Sequence, residues 1–219
     1  MKTFIVSSLF ALAAVVPLTA SAQFSLPSVG GLTKMVGGGS GGDLSGQQDS
    51  LVRSFVAANK EVLTANAKMA DALGLKDEAA KAQATADSLS DGATKDNLSD
   101  ANKIVSDTGG AVAQAMAQKP ALDAESKAKF ASGLGNLVNG SVKYAGVGKG
   151  VKTMGTSLSS ASPTMLPKLN SAVYLVGNFP GSATQLSKAL QNAITFAKDS
   201  GIEVPNNSND ALSAIGDLS

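Results

Sequence analysis

The sequence predicts an all-α fold: a single antiparallel helical bundle of four to five main helices, preceded by a cleaved signal peptide and a disordered Gly/Ser-rich leader. Three observations predict it. From Leu51 onward, apolar residues recur at alternating spacings of four and three, which places them on one side of a helix. Glycine and proline fall between these periodic stretches, where helices end. The first 46 residues lack this pattern, having an apolar start followed by a glycine-rich run. The resulting division is residues 1–22 as signal peptide, 23–46 as leader and 47–219 as bundle.

Lys2 supplies a positive start, Phe4 to Val16 a mostly apolar run, and Ala20-Ser21-Ala22 a small-residue cleavage site. That is the layout of a secretory signal, too short for a comfortable membrane span. From Gln23 to about Ser45 the chain is rich in glycine and serine, including Gly37-Gly38-Gly39-Ser40-Gly41-Gly42. Ordering such a segment costs much entropy and buries little, which predicts a flexible leader.

The first helix is expected from about Gln47 or Ser50 to Leu73, its stripe being Leu51, Phe55, Ala58, Val62, Ala65, Met69 and Ala72. Gly74 should end it in a left-handed conformation. Lys76 to Lys119 is alanine-rich and acidic, with Asp77 and Glu78 at a helix start, a break at Ser90-Asp91-Gly92, a kink at Gly109-Gly110 and a stop at Pro120. Asp123 to Ser160 is the most regular segment. Phe130, Leu134, Leu137, Ser141, Tyr144, Gly148, Val151, Gly155 and Leu158 form a seam, small along Ser141, Gly148 and Gly155 and bulky along Leu137, Tyr144, Val151 and Leu158. Such a seam admits close approach of a neighbouring backbone on one side. Ser162-Pro163 is expected to open a strongly apolar, central helix containing Leu169 and Val173, closed by a turn at Gly177-Asn178-Phe179-Pro180-Gly181. Ser182 with Gln185 then reads as a capping box for a helix that ends at Gly201, and a short turn of helix follows around Asp210 to Ile215. Loops are short, so consecutive helices should run antiparallel.

Composition narrows the function classes. The 18 basic and 17 acidic residues nearly cancel, and Arg53 is the only arginine. Nucleic-acid binding needs excess positive charge, so it is not expected. There is no cysteine or histidine, which excludes a lipid-modified cysteine, Ser-His-Asp and Cys-His catalysis and every histidine or cysteine metal site. No stretch after the signal is long and apolar enough to cross a bilayer. The expected location is periplasmic or secreted.

Charge is unevenly distributed. Ser126 to Lys198 holds eight lysines and no acid, whereas Asp71 to Glu125 holds ten acids and five lysines. One reading is a cationic surface, with Lys129, Lys143, Lys149 and Lys152 off the seam, facing an anionic lipid or polysaccharide. The other is internal neutralisation, with acidic helices lying beside lysine-bearing ones.

No motif defines a catalytic, cofactor or metal site. Ser126 and Lys129 have Ser-x-x-Lys spacing but lack its companion motifs. Asp96 and Asp100 lie one helical turn apart, and Gly146 and Gly150 form a lone GxxxG among lysines. Tyr144 and Tyr174 read as core residues whose hydroxyls reach partners. The function expected is that of an exported, non-catalytic protein of a bacterial-type cell envelope that binds or scaffolds another envelope component. The alternative is a periplasmic carrier of a lipid-like or other hydrophobic small ligand, using a seam of Phe130, Leu137, Tyr144, Gly148, Val151, Leu169 and Val173. An enzyme ranks below both.

Overall fold

The computed structural model describes residues 44–218, so the signal peptide and residues 23–43 of the leader lie outside the described residues. Among the described residues, six α-helices pack as a bundle: α1 (Leu44–Ala72), α2 (Lys76–Ser88), α3 (Lys95–Ala117), α4 (Ala124–Ser159), α5 (Asn170–Asp199) and α6 (Ser208–Gly216). A 3₁₀ turn, Leu166–Leu169, leads into α5. The first helix begins at Leu44, ahead of the Gln47 or Ser50 start that periodicity suggests.

The pair α1 and α4 forms the spine. Lys129 reaches Asp71 at 2.9 Å, Lys143 reaches Glu61 at 2.7 Å and Ser157 reaches Gln47 at 3.4 Å, so numbering rises along one helix as it falls along the other. The two helices are therefore antiparallel and in register over most of their length, about 40 Å at 1.5 Å per residue. The rings of Phe130 and Phe196, 5.0 Å apart, and of Tyr144 and Phe179, 4.7 Å apart, show the same opposed direction between α4 and α5. Helix α3 runs parallel to α1, since Asn59 meets Asn102 and Asn66 meets Thr108. It packs on α1, α2 and α5 rather than on α4, which follows it in sequence.

Chain ends of helices follow local chemistry. Gly74, with φ +80°, lets the Leu75 N–H turn back to the Ala70 carbonyl at 2.8 Å, a closure that an L side chain disfavours. The break after α2 falls where expected, and Thr94 and Asn97 form a reciprocal capping box at the start of α3. Asp123 caps α4 by accepting from the Ser126 N–H at 2.8 Å. Helix α3 continues through Gly109-Gly110.

Two expectations around α5 are corrected. No helix opens at Pro163: the Ser162 hydroxyl bonds Thr164, and Pro167 lacks the N–H that a continuous α-helix would need, so the chain makes a 3₁₀ turn before α5 starts at Asn170. Nor does the chain turn at Gly177 to Gly181. Helix α5 runs unbroken through Pro180. Its buried stripe is Ala172, Leu175, Phe179, Ala183, Leu186, Leu190 and Ala193, which keeps helical spacing across the proline. Pro180 lies on the exposed side while Phe179 stacks on Tyr144, so burial outweighs the lost backbone bond. Ser182 is accordingly not a cap; its hydroxyl donates to the Asn178 carbonyl within the helix at 3.2 Å.

Glycine spacing on α4 is what sets the α1–α4 distance. A Cβ at Gly133 would lie 2.7 Å from Met69 Cγ and 3.1 Å from the Ala65 carbonyl oxygen, and one at Gly140 would lie 2.9 Å from Val62 Cγ2. A Cβ at Gly135 would meet nothing within 4 Å. Gly135→Ala should therefore raise stability by up to about 1 kcal/mol through helix propensity alone. Gly133→Ala should lower it by about 1–3 kcal/mol, as overpacking does. Urea unfolding of the two variants measures both signs.

Candidate functional site

The expected seam on α4 is buried, but it faces several neighbours rather than one lumen. Phe130, Leu137, Tyr144 and Val151 are buried, Phe130 against Phe196 of α5. Gly148 sits under the Leu218 side chain beyond α6. Leu169, also buried, ends the 3₁₀ turn, whereas Val173 is 46% exposed on α5. Of these seven residues, Leu137 and Tyr144 border a shared cavity.

That cavity is a cleft of about 270 Å³ lined by residues from α1, α3, α4 and α5. Gly109, Gly110 and Ala113 of α3 lie opposite Ser182, Leu186 and Ala189 of α5, with Val62, Leu137 and Tyr144 also lining it. The absence of side chains at Gly109 and Gly110 leaves this part of the α3–α5 boundary unfilled. Lys188, exposed, is the only charged residue in the lining.

Carboxamides organise the α1–α3 wall. The buried Asn66 donates to the Val105 carbonyl at 3.1 Å and to Thr108 Oγ1 at 3.0 Å. Asn59 donates to Asn102, 3.4 Å away, and Asn102 to the Tyr174 hydroxyl at 3.0 Å. Tyr174 thus finds the partner expected of it. Tyr144 does not: its hydroxyl is buried and, among the described residues, has no hydrogen-bond partner of acceptable geometry. Burial pushes its phenol far above the ordinary range, an effect that the neighbouring Ser182 hydroxyl only partly offsets. The Ser182 hydroxyl donates to the Asn178 carbonyl and keeps lone pairs able to accept, but the phenol does not meet hydrogen-bond geometry with it.

Sequence reasoning missed Asn59, Asn66 and Asn102. Asn59 and Asn66 lie one heptad apart and each adjoins an apolar stripe residue, Ala58 or Ala65. Two polar residues repeating in that phase signal a polar contact line on a packed helix face.

The lysines divide in two. Lys129 pairs with Asp71 at 2.9 Å and Glu125 at 3.1 Å, and Lys143 pairs with Glu61. Lys149 and Lys152 are exposed and make no ion pair among the described residues. Ser126 serves the α4 cap, so with Lys129 ion-paired the Ser-x-x-Lys spacing assembles no nucleophile and base. Asp96 and Asp100 are exposed, and the described residues contain no group of three or more potential metal ligands. Gly146 faces open space, while a Cβ at Gly150 would touch Leu51. No described helix is long and apolar enough to cross a membrane.

Comparison with family models, with curated proteins and with solved structures gives no match to this chain. Its class is set by the fold alone: an all-α, cysteine-free helical bundle with a side cleft.

Glu61 provides a pH test of the spine. Burial would raise its pKa above the ordinary 4.5, but hydrogen bonds from Lys143 and Asn136, and the charges of Lys143 and Lys68, outweigh that and lower it. A carboxylate with a depressed folded pKa contributes stability above its unfolded pKa and loses it as pH falls through the folded value. The stability difference between wild type and Glu61→Gln should therefore be largest near neutral pH and shrink below about pH 4.5. Chemical unfolding across pH 3–7 measures it.

Proposed function

We propose that this chain is an exported, non-catalytic binding protein of a bacterial-type cell envelope, and that it carries a small hydrophobic ligand in the cleft between α3 and α5. The observation that supports this reading is a cleft of about 270 Å³ whose accessible wall surface is mostly apolar, with carboxamides and a buried phenol among its lining residues. Ligand sites combine such apolar walls with a few fixed polar groups. The volume falls just below the roughly 300–1,000 Å³ usual for drug-sized ligands. It suits a ring or a short chain better than a whole lipid.

Scaffolding through the surface is the second reading. Lys149 and Lys152, exposed on α4 and without an ion pair among the described residues, favour it, since cations on one flank attract an anionic lipid or polysaccharide. Nothing in the cleft resembles an acid–base pair: its lining holds no carboxylate, and its only lysine is exposed.

Solvent extraction of protein purified from its native envelope, followed by mass spectrometry, separates the two readings. A small organic molecule at one per chain is the expected result. A clean extract, together with retention on anionic vesicles that Lys149→Ala/Lys152→Ala abolishes, would replace carriage with scaffolding.

A further inference from the structure

The cleft's lining constrains what can occupy it. A carboxylate is absent from its walls, and the one charged side chain, Lys188, is exposed. Val62, Leu137 and Leu186 provide apolar contact, and the carboxamides of Asn66 and Asn102 are already engaged in donating to the protein. Tyr144 differs from them. Its hydroxyl is shut off from solvent and lacks a partner among the described residues. Leaving a buried donor unmade is costly, by more than a typical hydrogen bond contributes when formed.

We infer that the cleft takes an uncharged organic molecule whose apolar body lies against Val62, Leu137 and Leu186 and whose hydrogen-bond acceptor, a carbonyl or ether oxygen, receives the Tyr144 hydroxyl. The inference rests on the carrier reading above and adds the chemistry of the ligand. Because the hydroxyl is closed to solvent, a ligand reaches it only when a neighbouring wall residue moves, and its neighbour Ser182 also lines the cleft. The Ser182 side chain is held by a 3.2 Å bond to the Asn178 carbonyl. Ser182 lies two positions beyond Pro180, which has no backbone N–H to donate within the helix, and a Cβ built at Gly177 or Gly181 would meet nothing within 4 Å.

Tyr144→Phe tests the inference with two probes, cyclohexanone, which offers an acceptor, and toluene, which does not. Binding is read from backbone amide shifts at Gly109, Gly110 and Ala189 in the folded protein. Cyclohexanone should bind wild type up to about tenfold more tightly than Tyr144→Phe, while toluene should bind both alike. Ligand-free Tyr144→Phe should melt no lower than wild type, because it removes a donor that had no partner. Equal binding of cyclohexanone to both proteins would overturn the acceptor assignment and leave the carrier reading standing. A lower melting temperature for ligand-free Tyr144→Phe would also overturn it, by showing that the hydroxyl already has a partner. Failure of both probes to bind wild type would remove the cleft as a site altogether.

Discussion

Close approach of α1 and α4 at Gly133 and Gly140 is the constraint on which the other contacts depend. Met69 and Val62 occupy the space that side chains at those glycines would fill, and Ala65 presents its carbonyl there. Because both glycines are one heptad apart on α4, the helices touch along a line and not at a single crossing. This line fixes the register in which Lys143 meets Glu61 and Lys129 meets Asp71. Glycine in mid-helix is unfavourable by about 1 kcal/mol relative to alanine, so α4 depends on its packing to remain helical. Once it is seated, a broad face is buried, and Tyr144 is turned toward α5 and the bundle centre.

The opposite side of α1 packs by different means. Asn59 and Asn66 make directional contacts to α3, and directional contacts hold helices apart at the length of a hydrogen bond plus two side chains. With Gly109 and Gly110 on the α3 side, little apolar volume is available there to fill the remaining space. The cleft therefore opens between α3 and α5, and not along α4. A tight spine and a polar, less filled flank are consequences of the same two-sided helix α1.

Much of this was legible in the chain. The stripe on α1 is buried as its spacing requires, that on α4 is buried from Phe130 to Val151 with Gly155 and Leu158 only partly covered, and Gly74, the Ser90-Asp91-Gly92 break and the ends of α4 fall where local chemistry puts them. Reading failed where a local breaker met a longer-range stripe. Gly177 to Gly181 has every mark of a turn, yet Phe179 keeps the α5 stripe in phase and its stacking on Tyr144 holds the helix through Pro180. The same priority of local signal misplaced the α5 start, where Pro167 mattered more than Pro163. The cleft was legible only in part. Leu137 and Tyr144 were named, but its α1–α3 wall arises from a parallel pairing of distant helices that no short window contains.

The uneven charge pattern resolves in the same way. Internal neutralisation does occur, but its acids come mainly from α1, through Glu61 and Asp71, with Glu125 of α4 itself. The acidic helix α3 packs away from α4 and meets its own needs locally, as in the Lys103–Asp107 pair one turn apart. Lys119 just beyond α3 reaches Asp199 at the end of α5, tying the same flank at its far edge. The pairing of α4 with α1 acids runs through Lys129 and Lys143. Beyond Lys143, the ion pairs cease and Lys149 and Lys152 stand free among the described residues. A nearly neutral chain thus carries local positive charge toward the C-terminal end of its longest described helix, where Lys149 and Lys152 are exposed.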